Sequence, residues 1–257
     1  MAEQRSIVIS GAATGIGAEI AKRFLNLGWR VGAFDIADID PANYPQDRGT
    51  LVVGKLDVTN FEQWQQVLAE FCGPAGTLDV LVNNAGVLTA GSFEEISAER
   101  NRTIIDINVN GTINGCHAAH EYLFRTRGAT VVNLCSASAI YGQPELAAYS
   151  ASKFAVRGLT EALDIEWQKH DIRVIALWPL FVSTNMVAGV NIGTTRSLGV
   201  HLRPEHVASE LVRVLHSPAR YRKVHYAVAR QAKIFAAVSQ FTPDWANRAM
   251  NRRFFAH

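Results

Sequence analysis

The sequence predicts an α/β domain: a doubly wound, mostly parallel seven-stranded sheet with helices on both faces. Three observations carry that expectation. Strand-like and helix-like patterns alternate along the whole chain, as in parallel strands joined by helical crossovers. The first strand runs directly into a glycine-rich turn and then an amphipathic helix. The chain has 257 residues, 48% of them hydrophobic and 19% charged, which suits one α/β domain with a substantial core, here taken as residues 1–257.

The elements follow in order. Ser6 to Ser10 read as a short buried strand, and a helix is expected over 16–27, where apolar residues recur at helical spacing. A second strand over 30–34 ends in Asp35, and a third covers 50–54. A helix over 60–71 leads to a strand at 79–83, and one long helix is expected over 97–126. Strand 129–135, helix 147–169 and strand 172–178 come next, then helix 204–216 and a last strand at 223–227. Residues 183–200 are rich in Gly, Thr, Ser and Asn and start at the carboxyl end of a strand, where open α/β sheets bind ligands. They form a candidate substrate lid.

The turn after the first strand, Gly11-Ala-Ala-Thr14-Gly15-Ile16-Gly17, has the context of a dinucleotide-binding loop. Glycines let the backbone approach a pyrophosphate, and a helix N-terminus offers free N–H groups and a positive dipole end. Asp35 stands eighteen residues after Gly17. A carboxylate there accepts hydrogen bonds from an adenosine ribose and repels a 2′-phosphate, and no Lys or Arg in the loop offsets it, so the cofactor implied is NAD. Tyr149 and Lys153 stand i, i+4, one turn apart on one helix face, thirteen residues after Ser136. An ammonium beside a phenol favours the phenolate and is expected to lower the tyrosine pKa toward working pH, making it a general acid or base.

Other classes are less well served. A net charge of +2 and the absence of a long basic tract argue against nucleic acid. The first strand begins too early for a secretory signal, and no apolar run reaches the roughly 18–20 residues that span a bilayer. Cys72, Cys116 and Cys135 are scattered and odd in number, which suits a cytoplasmic setting. His117 and His120 lack a completing ligand set, so no metal is expected. Cys135 ends an apolar strand and reads as core, while Gln143 and Glu145 lead up to Tyr149 and are candidates to touch substrate. The tail from 228 to 257 mixes aromatic and basic residues. It suits a helical extension packed on its own domain or a neighbouring subunit; the competing readings are peripheral membrane contact and a cap over an apolar substrate pocket.

Taken together, these motifs resemble the short-chain dehydrogenase/reductase family in its form of about 250 residues, and the resemblance covers nearly the whole chain. It implies a Rossmann-type fold and hydride exchange between a nicotinamide and a secondary alcohol or its ketone. Ser10 to Gly17 match the family's T-G-x-x-x-G-x-G with Ser10 in place of Thr. Asp57-Val58 match the pair set against the adenine, and Asn83-Asn84-Ala85-Gly86 match the N-N-A-G beside the cofactor. Asn108, Ser136, Tyr149 and Lys153 complete a catalytic tetrad. By resemblance, Tyr149 exchanges the proton, Lys153 supports it and binds the nicotinamide ribose, Ser136 bonds the substrate oxygen, and Asn108 bends its helix and anchors a water. Ser138 competes with Ser136 for its role, but the spacing to Tyr149 favours Ser136.

One departure stands out. Pro179-Leu180 replaces the usual Pro-Gly ahead of Val182 and Thr184, the positions that hold the carboxamide in relatives. Leucine avoids backbone angles that glycine tolerates, so a shifted segment or a narrowed pocket is expected. The resemblance also implies a homo-oligomer, a tetramer or dimer joined through the two long helices. The aromatic tail points to a bulky apolar or aromatic substrate. A non-catalytic NAD-binding regulator or scaffold is the alternative, and the complete tetrad speaks against it.

Overall fold

The β-branched and aliphatic runs of the sequence form seven strands: β1 Ser6–Ser10, β2 Arg30–Asp35, β3 Thr50–Lys55, β4 Val80–Asn83, β5 Thr130–Leu134, β6 Arg173–Trp178 and β7 His225–Ala227. A computed structural model describes residues 4–187, 192, 199–218, 222–229, 232, 233, 242, 243, 245, 248 and 252. Most of the expected lid (183–200) and of the tail (228–257) lies outside the described residues. The strands pair in parallel throughout, in the order β3-β2-β1-β4-β5-β6-β7. The order reverses between β1 and β4, which opens a crevice at their carboxyl ends.

Helices α1 Gly15–Asn26, α2 Phe61–Cys72, α3 Ala98–Ile105, α4 Gly111–Phe124, α5 Ala147–Trp167 and α6 Pro204–Leu215 cover the two faces. Side chains alternate along each strand. Ile7, Ile9, Val31, Val82 and Val132 therefore pack with α1 and α6 (Phe24, Leu25, Leu211), while Val8, Leu81, Val131 and Val174 pack with α2 and α4 (Trp64, Leu68, Leu123). The seven-stranded, doubly wound arrangement expected from the sequence is the one observed. Among the described residues, no helix is long and apolar enough to cross a membrane.

The long helix expected over 97–126 is interrupted. Between α3 and α4, residues Asp106–Asn110 form a wider π turn. Its cause is Asn108, 1% exposed, whose side chain bonds outside the helix. Its Oδ1 accepts from Val87 N (2.8 Å), and its Nδ2 donates to Val87 O and Ser152 Oγ (3.0 Å each). Such single-turn insertions distort the ladder where a helix must reach a partner. A second buried polar chain crosses the sheet: Asn83 Nδ2 donates to Asn133 Oδ1 (2.9 Å), and Asn133 Nδ2 donates to Thr160 Oγ1 (3.0 Å). It fixes β4, β5 and α5 in register just beneath the crevice.

Candidate active site

The glycine loop is folded against the turn after β4. Gly11 has φ +67°, and a Cβ on it would lie 2.7 Å from Ala85 Cα, so only glycine fits. Ser10 Oγ accepts from Asn84 N (3.1 Å) and Ala85 N (3.2 Å), while Asn84 Nδ2 donates to Ser10 O (3.0 Å) and Gly11 O (2.8 Å). The serine thus joins the two segments with its hydroxyl, and its replacement of threonine leaves that link intact. Thr14 precedes α1 in extended geometry without capping it through its side chain. The N–H groups of Gly15, Ile16 and Gly17 therefore head the helix uncapped, as an anion site requires. Thr184 closes over the loop: its Cγ2 would lie 3.2 Å from a Cβ on Gly15.

Asp35 ends β2 with its carboxylate held by two backbone donors, Ala13 N and Ala37 N, both at 2.9 Å. Lys55, its register partner on β3, is committed elsewhere: it pairs with Asp38 at 2.8 Å and donates to Ile36 O at 3.0 Å. Asp57 accepts from Thr59 N (2.9 Å) and Thr59 Oγ1 (2.7 Å). Val58 is buried, its carbonyl oxygen accepting from Trp64 Nε1 and Asn114 Nδ2. Gly86 sits close against the site: a Cβ there would lie 3.1 Å from Asn108 Oδ1, a tight approach, and 3.8 Å from Lys153 Nζ. A cavity of about 620 Å³ runs from Asp35, Asp57 and Val58 past the glycine loop to Ser136, Tyr149 and Lys153. Carboxylate, glycine cradle and uncapped helix lie in the order a nicotinamide dinucleotide would need.

At the other end, α5 presents Tyr149 (8% exposed) and Lys153 (6% exposed) one turn apart. Ser136 caps a short turn with its Oγ, which accepts from Ser138 N at 3.1 Å and donates to Ser138 Oγ at 3.2 Å. Both serines line the cavity with Tyr149, Ser138 being 2% exposed. The expected lowering of the tyrosine pKa is not what the protein alone produces. Burial pushes the Tyr149 phenol up to about 12, and the Ser136 hydrogen bond only partly opposes this. The physical reason lies in where the lysine points. Lys153 Nζ donates to Leu134 O at 2.9 Å and stands 5.6 Å from the centre of the tyrosine ring, and burial lowers its own pKa. Without further charge, Tyr149 is a proton donor.

The remaining candidates sort clearly. Cys135 Sγ contacts Lys153 O at 3.2 Å, and burial pushes its thiol up to about 11, so it is core rather than nucleophile. His117 and His120 pack edge-on to Phe61 and against Trp167. Leu180 is absent from the residues with positive φ, so it needs no left-handed backbone, and with Phe181 it lines the cavity. Pro179 O accepts from Ala137 N (3.0 Å), Val182 bridges to Leu202, and Thr184 Oγ1 bonds Val182 O at 3.3 Å, so the segment is held in place. The cavity is also lined by Arg100 and by Ile36, Leu56, Val87, Leu88 and Phe181, none of which the sequence pattern marks. Arg100 belongs to no motif. The available signal was helix phase, since Arg100, Ile104 and Asn108 recur at i, i+4, i+8.

A sheet whose order reverses beside a glycine loop, with a buried tyrosine–lysine pair across the crevice, defines an oxidoreductase that uses a nicotinamide dinucleotide. The chain belongs to the short chain dehydrogenase family, whose model matches residues 5–194. It is 32% identical over 200 residues to the trans-4-hydroxycyclohexanecarboxylate dehydrogenase of Sinomonas cyclohexanicum, covering 74% of this chain and 77% of that one. It is 32% identical over 183 residues to the D-threitol dehydrogenase of Mycolicibacterium smegmatis, covering 70% of each. Among solved structures, a short-chain dehydrogenase from Streptomyces avermitilis superposes with a TM-score of 0.80 at 26% identity, covering 99% of this chain and 97% of that one.

Proposed function

We propose that the protein is an NAD-dependent oxidoreductase that interconverts a secondary alcohol and its ketone, with a bulky apolar substrate. The observation that carries this reading is the single cavity holding Asp35 at one end and Ser136, Tyr149 and Lys153 at the other. The bound nicotinamide would give or take the hydride. Gly11, Thr14, Gly15, Ile16 and Gly17 would hold its pyrophosphate, Asp35 the adenosine ribose, Asp57 and Val58 the adenine. Asn84, Ala85 and Gly86 would flank it, and Pro179, Val182 and Thr184 would hold the carboxamide.

The protein's own groups handle the proton. In reduction, Tyr149 gives its phenolic proton to the carbonyl oxygen while the Ser136 hydroxyl donates to the same oxygen as charge gathers there. In oxidation the phenolate takes the proton back from the carbinol. Lys153, anchored on Leu134 O with its Nζ 5.6 Å from the centre of the tyrosine ring, would have to turn toward the phenol to support that phenolate. Asn108 keeps α3, the Val87 turn and α5 joined through Val87 and Ser152. The apolar cluster of Leu146, Tyr149 and Ile192, with Leu88, Ala90 and Phe181 packed on it, supports an apolar substrate body. The relatives named above act on a hydroxycyclohexanecarboxylate and on threitol, and a secondary carbinol is common to both. Exposed Ile113 and Phe124 on α4 and Phe154 and Ile165 on α5 support a homo-oligomer, dimer or tetramer; a cytoplasmic setting is proposed from the three free cysteines.

The test is absorbance at the NADH band with NAD or NADP and a graded set of secondary alcohols. Turnover with NAD should fall roughly 10²–10⁴-fold in Tyr149→Phe. Undiminished turnover in that variant would refute the role given to Tyr149, and NADP outperforming NAD would refute the role given to Asp35.

A further inference from the structure

Arg100 lies in the first turn of α3, two turns before Asn108, and lines the cavity together with Ser136, Gln143 and Tyr149. Arg100 is exposed at the rim of the cavity, where its Nε donates to Thr89 Oγ1 at 3.2 Å. Both terminal nitrogens are left without a hydrogen-bond partner, and no carboxylate lies within ion-pair distance, among the described residues. Thr89 sits between Leu88 and Ala90, which pack against Leu146 and Tyr149, so the arginine is tethered to the substrate end of the cavity. Gly91 N donates to Glu145 O at 2.9 Å and ties this segment to the one carrying Gln143.

Gln143 is the second observation. It is 7% exposed and lines the same cavity, and its Nε2 bonds to nothing among the described residues, so that this end of the amide is free to donate to a ligand. The shielded Oε1, which also lacks a partner, takes no part. The other charges lining the cavity lie elsewhere: Asp35 and Asp57 at the far end, and Lys153 beneath the tyrosine. The substrate end therefore offers a planar cation and an amide donor, with apolar walls between them and Tyr149.

We propose that Arg100 binds a carboxylate carried by the substrate on the side away from its carbinol, with the Gln143 amide as a second donor. The inference rests on the alcohol–ketone reading of this cavity and adds the substrate class: hydroxy acids and keto acids with an apolar body between the two oxygen functions. A guanidinium engaged through Nε leaves its terminal N–H groups in the fork that matches a carboxylate. A single guanidinium balances one negative charge, which fits a carboxylate better than a phosphate.

The test compares 4-hydroxycyclohexanecarboxylate with its methyl ester and with cyclohexanol, in wild type, Arg100→Gln and Arg100→Lys. Wild type should prefer the acid to the ester at least about tenfold in kcat/KM, chiefly through KM. Arg100→Gln should cut that ratio roughly 10–100-fold, and Arg100→Lys should restore part of it. An acid-to-ester ratio near one in wild type, or one unchanged in Arg100→Gln, overturns the proposal. A second readout is independent of turnover: the melting temperature with NADH and cyclohexanecarboxylate or its methyl ester. The acid should raise it more than the ester does in wild type, but not in Arg100→Gln. If no alcohol is oxidised, the alcohol–ketone reading fails while this second readout still decides the Arg100 site. Equal shifts for acid and ester, or no shift, overturn it.

Discussion

Replacing Gly17 by alanine should break the link between the glycine loop and the turn after β4. Gly17 lies inside α1 with no positive φ, so the backbone conformation itself admits alanine, and helix propensity alone would make the change favourable by up to about 1 kcal/mol. The surroundings oppose it. A Cβ there would overlap the Gly11 carbonyl oxygen and lie 2.5 Å from Asn84 Nδ2. Both neighbours belong to the join itself, since Asn84 Nδ2 donates to Gly11 O at 2.8 Å and to Ser10 O at 3.0 Å. Overpacking of this kind costs about 1–3 kcal/mol, and a displaced hydrogen bond adds roughly 0.5–1.5 kcal/mol. The net expectation is a loss of about 2 kcal/mol, a fall in melting temperature of roughly 4–8 °C.

Urea denaturation of wild type, Gly17→Ala, Asn84→Ala and the double variant measures this, alongside NADH binding by fluorescence. The double variant should lose less stability than the two singles added together, because deleting Asn84 Nδ2 removes one of the two obstructions. NADH affinity should drop at least tenfold in Gly17→Ala, since the loop must move. A Gly17→Ala protein as stable as wild type that binds NADH equally well would refute the close approach as the reason for glycine at this position.

Two further outcomes are expected. In Asp35→Ser, the ratio of NAD to NADP efficiency should fall at least tenfold: the carboxylate that repels a 2′-phosphate is gone, and Lys55 stands on the neighbouring strand. A ratio that does not move would dissociate Asp35 from cofactor choice, and steady-state kinetics with both dinucleotides reads it. Alkaline pH should destabilise the fold. Burial pushes the Cys116 thiol up to about 12, Cys135 to about 11 and the Tyr149 phenol to about 12, all above their ordinary values. A raised folded-state pKa on these groups means that the unfolded chain releases its protons first. The stability they contribute is therefore complete below about pH 9 and lost as pH rises through about 11–12. By pH 10.5 each fully buried thiol should cost on the order of 1–2 kcal/mol, and urea midpoints that are the same at pH 8 and pH 10.5 would contradict this.

Much of this protein is legible in one dimension because its signals are local. Strand runs such as Ser-Ile-Val-Ile-Ser, the glycine spacing from Gly11 to Gly17, Asp35 at a strand end and the i, i+4 pair of Tyr149 and Lys153 each depend on neighbours in sequence, so the fold class and part of the cavity lining could be named from residues alone. What tertiary structure decided depends on groups distant in sequence. The interruption at Asp106–Asn110 follows from Asn108 reaching Val87 and Ser152, which no helical periodicity encodes. The Asn83–Asn133–Thr160 chain looks in sequence like isolated polar residues within apolar runs, and it becomes a hydrogen-bonded chain only when β4, β5 and α5 meet. The raised Tyr149 pKa reverses an expectation drawn from spacing. Proximity along a helix brought Lys153 near, but burial and the Leu134 carbonyl determined what charge the phenol meets. Arg100 carries no motif at all. Its place in the cavity comes from the packing of α3 against the turn after β4, and only the folded chain sets a cation there.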